Sequence, residues 1–401
     1  MQSSMNNSFE INRREFLKQS SFATAALAGA TLLPKEGFAA STPRINREKI
    51  RVGHIGCGSV SGSYLPVMTK HPNIEVVSVC DIIPERAQKR AEQFKVPNVY
   101  PNIDAMLAGA EFDFLVDTTS MPSHYPVNKK GLEAGKHVWS EKPMALEVSK
   151  GKELIALAQK KGVGFWAAPN CVTSPQFAFM ARTIASGKIG EVTASHGTYG
   201  HGGPTWSAWF YEKGGGSLYD LGVYNVTTLT GLLGPVTEVV GMTSIVYPTR
   251  KVDDKGIVKV ESDENTMLIM RHQNGTLSHV QTGFGYFEHE RLLGERKLYT
   301  IDVMGTKGVM HLQGWDWSSA GVDLAYEGEA ILETHCKEAW QYEWVGGAAY
   351  VADCLRTGEP SLITPEHGLH VLDVMNACHE SQSTGRRVKC ETTFPWPIIK
   401  A

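Results

Sequence analysis

A chain of 401 residues has room for two folded domains at roughly 150 residues each. Apolar residues make up 42% and charged residues 20%, which excludes a disordered chain, and 39 basic against 42 acidic residues leave no cationic excess to point to nucleic acid or an anionic membrane surface. Seven cysteines, none in Cys-x-x-Cys spacing, make neither a disulfide framework nor a zinc ribbon, so no metal is expected.

The first forty residues read as an address. Asn12-Arg13-Arg14-Glu15-Phe16-Leu17-Lys18 precedes a mildly apolar stretch, Phe22 to Leu33, and a small-residue exit, Gly37-Phe38-Ala39-Ala40. Positive charge, a short apolar run and small residues make an export signal, and the run is too short to span a bilayer. The paired arginines followed by Phe-Leu-Lys resemble the twin-arginine (Tat) signal of bacteria, which implies a periplasmic protein exported in its folded state. No later stretch is long and apolar enough for a membrane span.

From residue 49 the chain alternates strands and helices. Lys49 to Ile55 is a short strand that runs into Gly56-Cys57-Gly58-Ser59-Val60-Ser61-Gly62, and Glu75 to Asp81 is a second strand ending in an acid, 25 positions after Gly56. Glycines for a tight turn and close approach of a pyrophosphate, a helix start, and a carboxylate for the ribose hydroxyls form a dinucleotide fingerprint. Ser61 at the third small position is a mild departure. Asp81 favours NAD over NADP by repelling a 2′-phosphate, whereas Arg86, at the start of the next helix, is the counter-argument. Pro84 to Phe94 reads as a helix, Phe112 to Thr119 as a buried strand, His124 to Ala134 as a helix and Lys136 to Ser140 as a strand. This alternation predicts a parallel sheet with ligands at the carboxyl ends of its strands, where Asp81, Thr119 and Glu141-Lys142-Pro143 fall. The candidate cofactor residues are Gly56, Gly58, Ser59, Val60, Asp81, Thr119, His124, Glu141 and Lys142. Residues 49–170 are assigned to this Rossmann domain.

A strand, then Glu141-Lys142-Pro143, then a helix (Leu146 to Lys161, closed by Gly162) resembles the glucose–fructose oxidoreductase / inositol dehydrogenase (Gfo/Idh/MocA) family. Gly214-Gly215-Gly216-Ser217-Leu218-Tyr219-Asp220-Leu221-Gly222-Val223-Tyr224 looks like that family's second signature, and Ser383-Thr384-Gly385-Arg386-Arg387-Val388 like its closing one. The resemblance covers about residues 49–390. It implies that Lys142 lies at the nicotinamide and the substrate hydroxyl, before a cis peptide to Pro143. A lysine at a strand's carboxyl end can also be read directly as a group that relays a hydroxyl proton. Leu218, Leu221, Leu229 and Leu232 give Ser217 to Leu233 a helical period that sets Asp220 and Tyr224 on one face, with Thr227 and Thr228 beside them. Most of the family has His at the Tyr224 position and Asp at Thr227; the glucose–fructose oxidoreductase-like branch has Tyr. Tyr224 either relays a proton with Lys142 as the nearby cation, or packs in the core and donates to Asp220. The catalytic candidates are therefore Lys142, Asp220 and Tyr224.

The second domain, residues 171–390, reads as α/β with an open, mostly antiparallel sheet. Its strands are Ile189–Tyr199, Val236–Ile245, Thr266–Arg271, Gly275–Thr282, Leu298–Met304 and Gly308–Leu312, with residues 391–401 as a tail. The resemblance implies that this sheet carries substrate and builds a dimer or tetramer. His201, Trp206 and Trp209 lie in a Gly/Pro-rich loop and are substrate candidates, the indoles as stacking faces or as packing anchors. His367 and His370 read as surface or interface groups. The function expected is NAD(P)-dependent hydride transfer at a sugar or polyol hydroxyl, with a tightly bound, recycled cofactor. Two rivals stand beside it: an NAD-dependent glycoside hydrolase that oxidises transiently and eliminates, and a non-catalytic sugar-binding protein.

Overall fold

The computed structural model describes residues 42–287, 298–329, 331–337 and 342–400. The export signal read at residues 1–40 lies outside them.

The first sheet is built from β1 (Ile50–Ile55), β2 (Ile74–Cys80), β3 (Asn98–Tyr100), β4 (Phe114–Asp117), β5 (His137–Ser140) and β6 (Phe165–Ala167). All pairs are parallel, in the order β3-β2-β1-β4-β5-β6. Its central strands are continuous apolar runs, because helices cover both faces of a parallel sheet. Those helices are α1 (Ser61–Lys70), α2 (Pro84–Phe94), α3 (Ile103–Ala108), α4 (Met121–Glu133) and α5 (Val148–Lys161). Sequential strands run outward in opposite directions from β1 and β4, so a crevice opens at their carboxyl ends, the binding place of doubly wound sheets.

Crossing α6 (Pro175–Ala185), the chain enters β7 (Val192–Gly200), and from Val223 it forms α7 (Val223–Leu233). Next come β8 (Val236–Ser244), a small hairpin of β9 (Thr249–Val252) and β10 (Gly256–Lys259), then β11 (Asn265–His272), β12 (Leu277–Gly283), β13 (Tyr299–Gly305), β14 (Gly308–Trp315), β15 (Ser318–Tyr326) and β16 (Glu333–His335). Two helices, α8 (Gly347–Thr357) and α9 (Pro365–Thr384), and the short β17 (Val388–Lys389) complete the chain. The second sheet runs β16-β15-β14-β13-β7-β12-β11-β8-β17; only β7 and β12 pair in parallel among the described pairs. Strand β11 shows why one face is buried: Thr266, Leu268, Met270 and His272 point inward, and Met267, Ile269 and Arg271 point out. The helices α7 and α9 pack on the inner face and thereby sit between the two sheets, while α8 returns to β1 and α1.

One expectation is corrected here. His367 and His370 are not surface groups; they are 4% and 0% exposed. His367 Nε2 meets the Thr230 hydroxyl at 2.8 Å, and His370 Nε2 accepts from the Val236 amide at 2.8 Å. Their i,i+3 spacing fixes a common helix face, and that face is the one α7 and β8 cover.

Candidate active site

The glycine turn after β1 has the shape a dinucleotide needs. Gly56 has φ +92°, and a Cβ there would lie 2.5 Å from the Thr118 backbone, so only glycine brings β1 this close to the end of β4. Above Gly58 a Cβ would meet nothing within 4 Å, which leaves open space over the turn. Ser59 is exposed and Val60 half-buried, and no side chain caps the start of α1; the Gly62 and Ser63 amides close the first turn on the Ser59 and Val60 carbonyls, both at 2.9 Å, so the positive end of the helix faces the open space without a side-chain acceptor on it. Asp81 lies just past β2 and is nearly buried; its Oδ2 accepts from the Cys57 amide at 2.7 Å and its Oδ1 from the Ile83 amide at 2.8 Å. The carboxylate is thus fixed beside the turn, with lone pairs left for ribose hydroxyls. Arg90, which the sequence reading did not single out, reaches from α2 to the Gly58 carbonyl and the Ser61 hydroxyl, both at 2.9 Å. Arg86, the counter-argument on cofactor choice, is exposed on α2.

Across the crevice, Thr119 donates through its amide (2.9 Å) and hydroxyl (2.6 Å) to Oδ1 of Asp117, a fully buried carboxyl that burial pushes up to about 6. His124 is buried between the Thr119 carbonyl (3.0 Å) and the Pro143 carbonyl (2.7 Å), tying the end of β4 to the turn after β5. That turn contains the cis Lys142–Pro143 peptide the resemblance implies. The Glu141 carboxylate faces inward: it accepts from the Tyr64 hydroxyl at 2.6 Å and from the Lys142 amide at 3.1 Å. Glu141 therefore braces the turn.

Lys142 Nζ donates to both the carboxylate and the main-chain carbonyl of Asp220, each at 2.8 Å, and lies 5.0 Å from the centre of the Tyr224 ring. The three catalytic candidates, far apart in sequence, meet here. The two charged side chains are 10% and 15% exposed, so their attraction is little screened. Asp220 sits in a single π-type turn, Leu218–Gly222, that leads directly into α7. Such insertions re-aim side chains and recur at functional sites. Behind the turn, buried Asp263 accepts from the Ser217 hydroxyl (2.9 Å), the Leu218 amide (3.0 Å) and the Thr266 hydroxyl (2.9 Å), and pairs with His379 at 3.0 Å. Gly216, at φ +108°, makes room for this carboxylate; a Cβ would lie 2.3 Å from Oδ1.

Tyr224 is buried in the core, as one of its readings has it, and has Lys142 close by, as the other has it. No hydrogen bond joins it to Asp220 among the described ones, and the lysine sits over its ring face, not at its hydroxyl. Burial, with Glu141, Tyr199 and Asp220 nearby, pushes its phenol well up, so Tyr224 keeps its proton and has an O–H to donate.

His201 is half-buried, accepts from the Gly203 amide at 3.0 Å and stacks on Phe284; its edge contact with Tyr199 (6.1 Å between centroids) is its link toward the site. Trp209 stacks on Phe210 at 3.7 Å, whereas Trp206 meets Phe210 edge-on and stays 52% exposed. The aromatic surface next to the lysine comes from residues the sequence reading missed. Tyr199 lies 6.2 Å from Tyr224 and 4.3 Å from Trp315, with Trp317 and Trp344 beyond. Two tryptophans around Asp316, between strands, were the available signal.

Among the described residues no group of three or more His, Cys, Asp and Glu is placed to hold a metal ion, and no helix is long and apolar enough to cross a membrane. Two family profiles match the chain: "Oxidoreductase family, NAD-binding Rossmann fold" over residues 50–168, and "GFO/IDH/MocA C-terminal domain" over residues 177–311. The chain belongs to the Gfo/Idh/MocA family. It is an oxidoreductase, and its first domain is an NAD-binding Rossmann domain. D-apiose dehydrogenase of Paraburkholderia graminis is 23% identical over 369 residues, 88% of this chain and 93% of that protein. A glycosyl hydrolase family 109 protein of Streptomyces filamentosus is 27% identical over 187 residues, 44% of this chain and 38% of that protein. The solved structure of levoglucosan dehydrogenase in complex with NADH superposes with a TM-score of 0.75 at 19% identity, covering 86% of this chain and all of that one. This Gfo/Idh/MocA chain shares with that neighbour the fold of a parallel Rossmann sheet followed by a mostly antiparallel one.

Proposed function

We propose that the protein transfers hydride at a carbinol of a sugar or polyol, with Lys142 and Asp220 handling the hydroxyl proton. The observation that carries this reading is the 2.8 Å Lys142–Asp220 pair at the carboxyl end of β5, beside a turn shaped for a dinucleotide. The turn residues Gly56, Gly58, Ser59 and Val60 would hold the pyrophosphate, Asp81 the ribose, and Thr119 and Lys142 would border the nicotinamide, with buried His124 holding their two turns together. When bound, NAD supplies the hydride acceptor. In the oxidation direction the Lys142 ammonium donates a hydrogen bond to the substrate oxygen and lowers the cost of its negative charge. The hydroxyl proton passes to Lys142 as Lys142 yields one to the Asp220 carboxylate, so the pair ends one proton richer. Tyr224, protonated, adds a second donor.

The Tat-like leader supports a cofactor loaded before export, held through many turnovers and regenerated in the site. Hydride would then return either to a second substrate or to the first one. The second route would make the protein a glycoside hydrolase, and the similarity to the family 109 protein favours keeping that reading. The intact Lys142–Asp220 geometry weighs against a non-catalytic sugar-binding role. A homo-oligomer is proposed through the outer face of the second sheet, where Val240, Met242, Met267, Ile269 and Leu277 are 41% to 73% exposed.

The test is to desalt the mature protein, assay it with sugars and with aryl glycosides, then denature it and count dinucleotide per chain. Bound dinucleotide and its reduction by a sugar support the main reading; free aglycone without net reduction supports the hydrolase. A chain free of dinucleotide, active only with added NAD, would refute the recycled cofactor.

A further inference from the structure

We propose that Tyr199, Trp315 and Trp317 form a second carbohydrate subsite, which receives the ring next to the one held at Lys142, so that the substrate is a disaccharide or longer glycoside. This rests on the sugar reading above and extends it.

Two elements distant in sequence meet beside Tyr224 to build the wall. Tyr199 comes from the end of β7, and Trp315 and Trp317 from the tip of the β14–β15 hairpin, where Trp315 pairs with Ser318 and Asp316-Trp317 makes the turn. Starting from the chemistry, Lys142 lies over Tyr224 (5.0 Å), Tyr224 lies against Tyr199 (6.2 Å) and Tyr199 against Trp315 (4.3 Å), with Trp317 parallel to Trp315 at an interplanar angle of 3° and 6.4 Å between centroids. A sugar ring whose carbinol reaches Lys142 lies against Tyr224. The indoles lie one step further out, where its glycosidic neighbour would be.

The tip is held in place. Asp316 is buried, and its carboxylate accepts from the Asn225 amide nitrogen at 3.1 and 2.8 Å and from the Thr228 hydroxyl at 3.2 Å. Asn225 and Thr228 belong to α7, one and four residues after Tyr224. The hairpin tip is therefore latched to the helix that carries the site, and the indoles cannot drift relative to Lys142. Tyr199 is buried and backs the wall, whereas both indoles are half-buried, so the exposed surface is theirs. Flat apolar faces with a few placed polar groups are the lining of a small-molecule site.

The experiment titrates the mature, dinucleotide-bearing protein with monosaccharides and their homodisaccharides (glucose with cellobiose and maltose, N-acetylglucosamine with chitobiose, mannose with mannobiose). It follows tryptophan fluorescence for binding and nicotinamide absorbance for turnover. At least one disaccharide should bind tenfold or more tightly than its monosaccharide. That ratio should fall toward one in Trp315→Leu and Trp317→Leu and be largely kept in Trp315→Phe and Trp317→Phe, which preserve packing. The proposal is overturned if no pair shows such a ratio, or if the ratio survives both leucine variants. If the ratio behaves as expected but no sugar reduces the nicotinamide, the subsite stands and the oxidoreductase reading of the site falls.

Discussion

Lys142 keeps its ammonium between two acceptors of one residue, the carboxylate and carbonyl of Asp220, and so cannot wander from the crevice. This pairing was legible because each partner sits in a strong local pattern, a strand end followed by Lys-Pro and a glycine-rich helix start. The orientation of Tyr224 was not, since i,i+4 spacing sets a helix face but not the tilt of a ring. With its phenol pushed up, Tyr224→Phe should lower kcat about tenfold, the scale of one lost hydrogen bond. Both limbs of the pH–rate profile should stay in place; loss of the alkaline limb would show that the phenol titrates during turnover. Asp81, already held by two amides, should read the ribose. Asp81→Ala is expected to weaken NAD(H) by about 10- to 100-fold, from the loss of charge-assisted hydrogen bonds, and to narrow its advantage over NADP(H). Calorimetry with both dinucleotides checks this, and wild-type affinity for NADP(H) equal to that for NAD(H) would refute the preference.

At the scale of elements, the first sheet could be read from sequence because parallel strands buried on both faces are apolar runs bounded by turns. The second sheet was harder. The separate hairpin of β9 and β10 beside it is short and mostly exposed, and within the sheet β7 pairs in parallel with β12, a partner far along the chain. The period of residues 217–233 predicts a helix, and there is one, but the extra residue of the π-type turn changes phase without changing composition, so it left no mark. That turn depends on Asp263, whose pKa burial alone would raise; the bond to His379, its charge and the Leu218 amide outweigh burial and hold it below the usual range. Asp263→Ala leaves the Leu218 amide and two hydroxyls without their acceptor. It should cost about 3 kcal/mol of stability, measured by urea denaturation, and displace Asp220. A variant with unchanged stability and turnover would show that the turn holds itself.

For the whole molecule, buried histidines set the response to acid. Among the described residues His54, His137, His272 and His370 are each pushed down to about 4, and His367 to about 3, chiefly by burial. The unfolded chain protonates these sites near pH 6.5 and the folded chain does not, so stability falls as pH drops through that value toward about 4. Each group contributes up to about 1.4 kcal/mol per pH unit in that window. Asp117 and Asp316, pushed up to about 6, act with the opposite sign, because the folded chain keeps protons there that the unfolded chain releases. Five groups against two predict a urea midpoint that decreases between about pH 7 and pH 5; a midpoint that rises would contradict the burial of these histidines.

An affinity near 1 nM, about 12 kcal/mol, with an on-rate of about 10⁶ per molar per second gives release over roughly a quarter of an hour, so the proposed retention of cofactor through export would require tighter binding still. The most direct measurement of the central claim is the rate at which bound nicotinamide is reduced when desalted protein is mixed rapidly with its sugar, in the wild type and in Lys142→Ala. Both proteins should carry the same amount of dinucleotide, and the variant should reduce it about 10²-fold more slowly, the scale of a positioned acid–base group. Reduction at the wild-type rate in Lys142→Ala would contradict the account and leave the lysine a structural partner of Asp220.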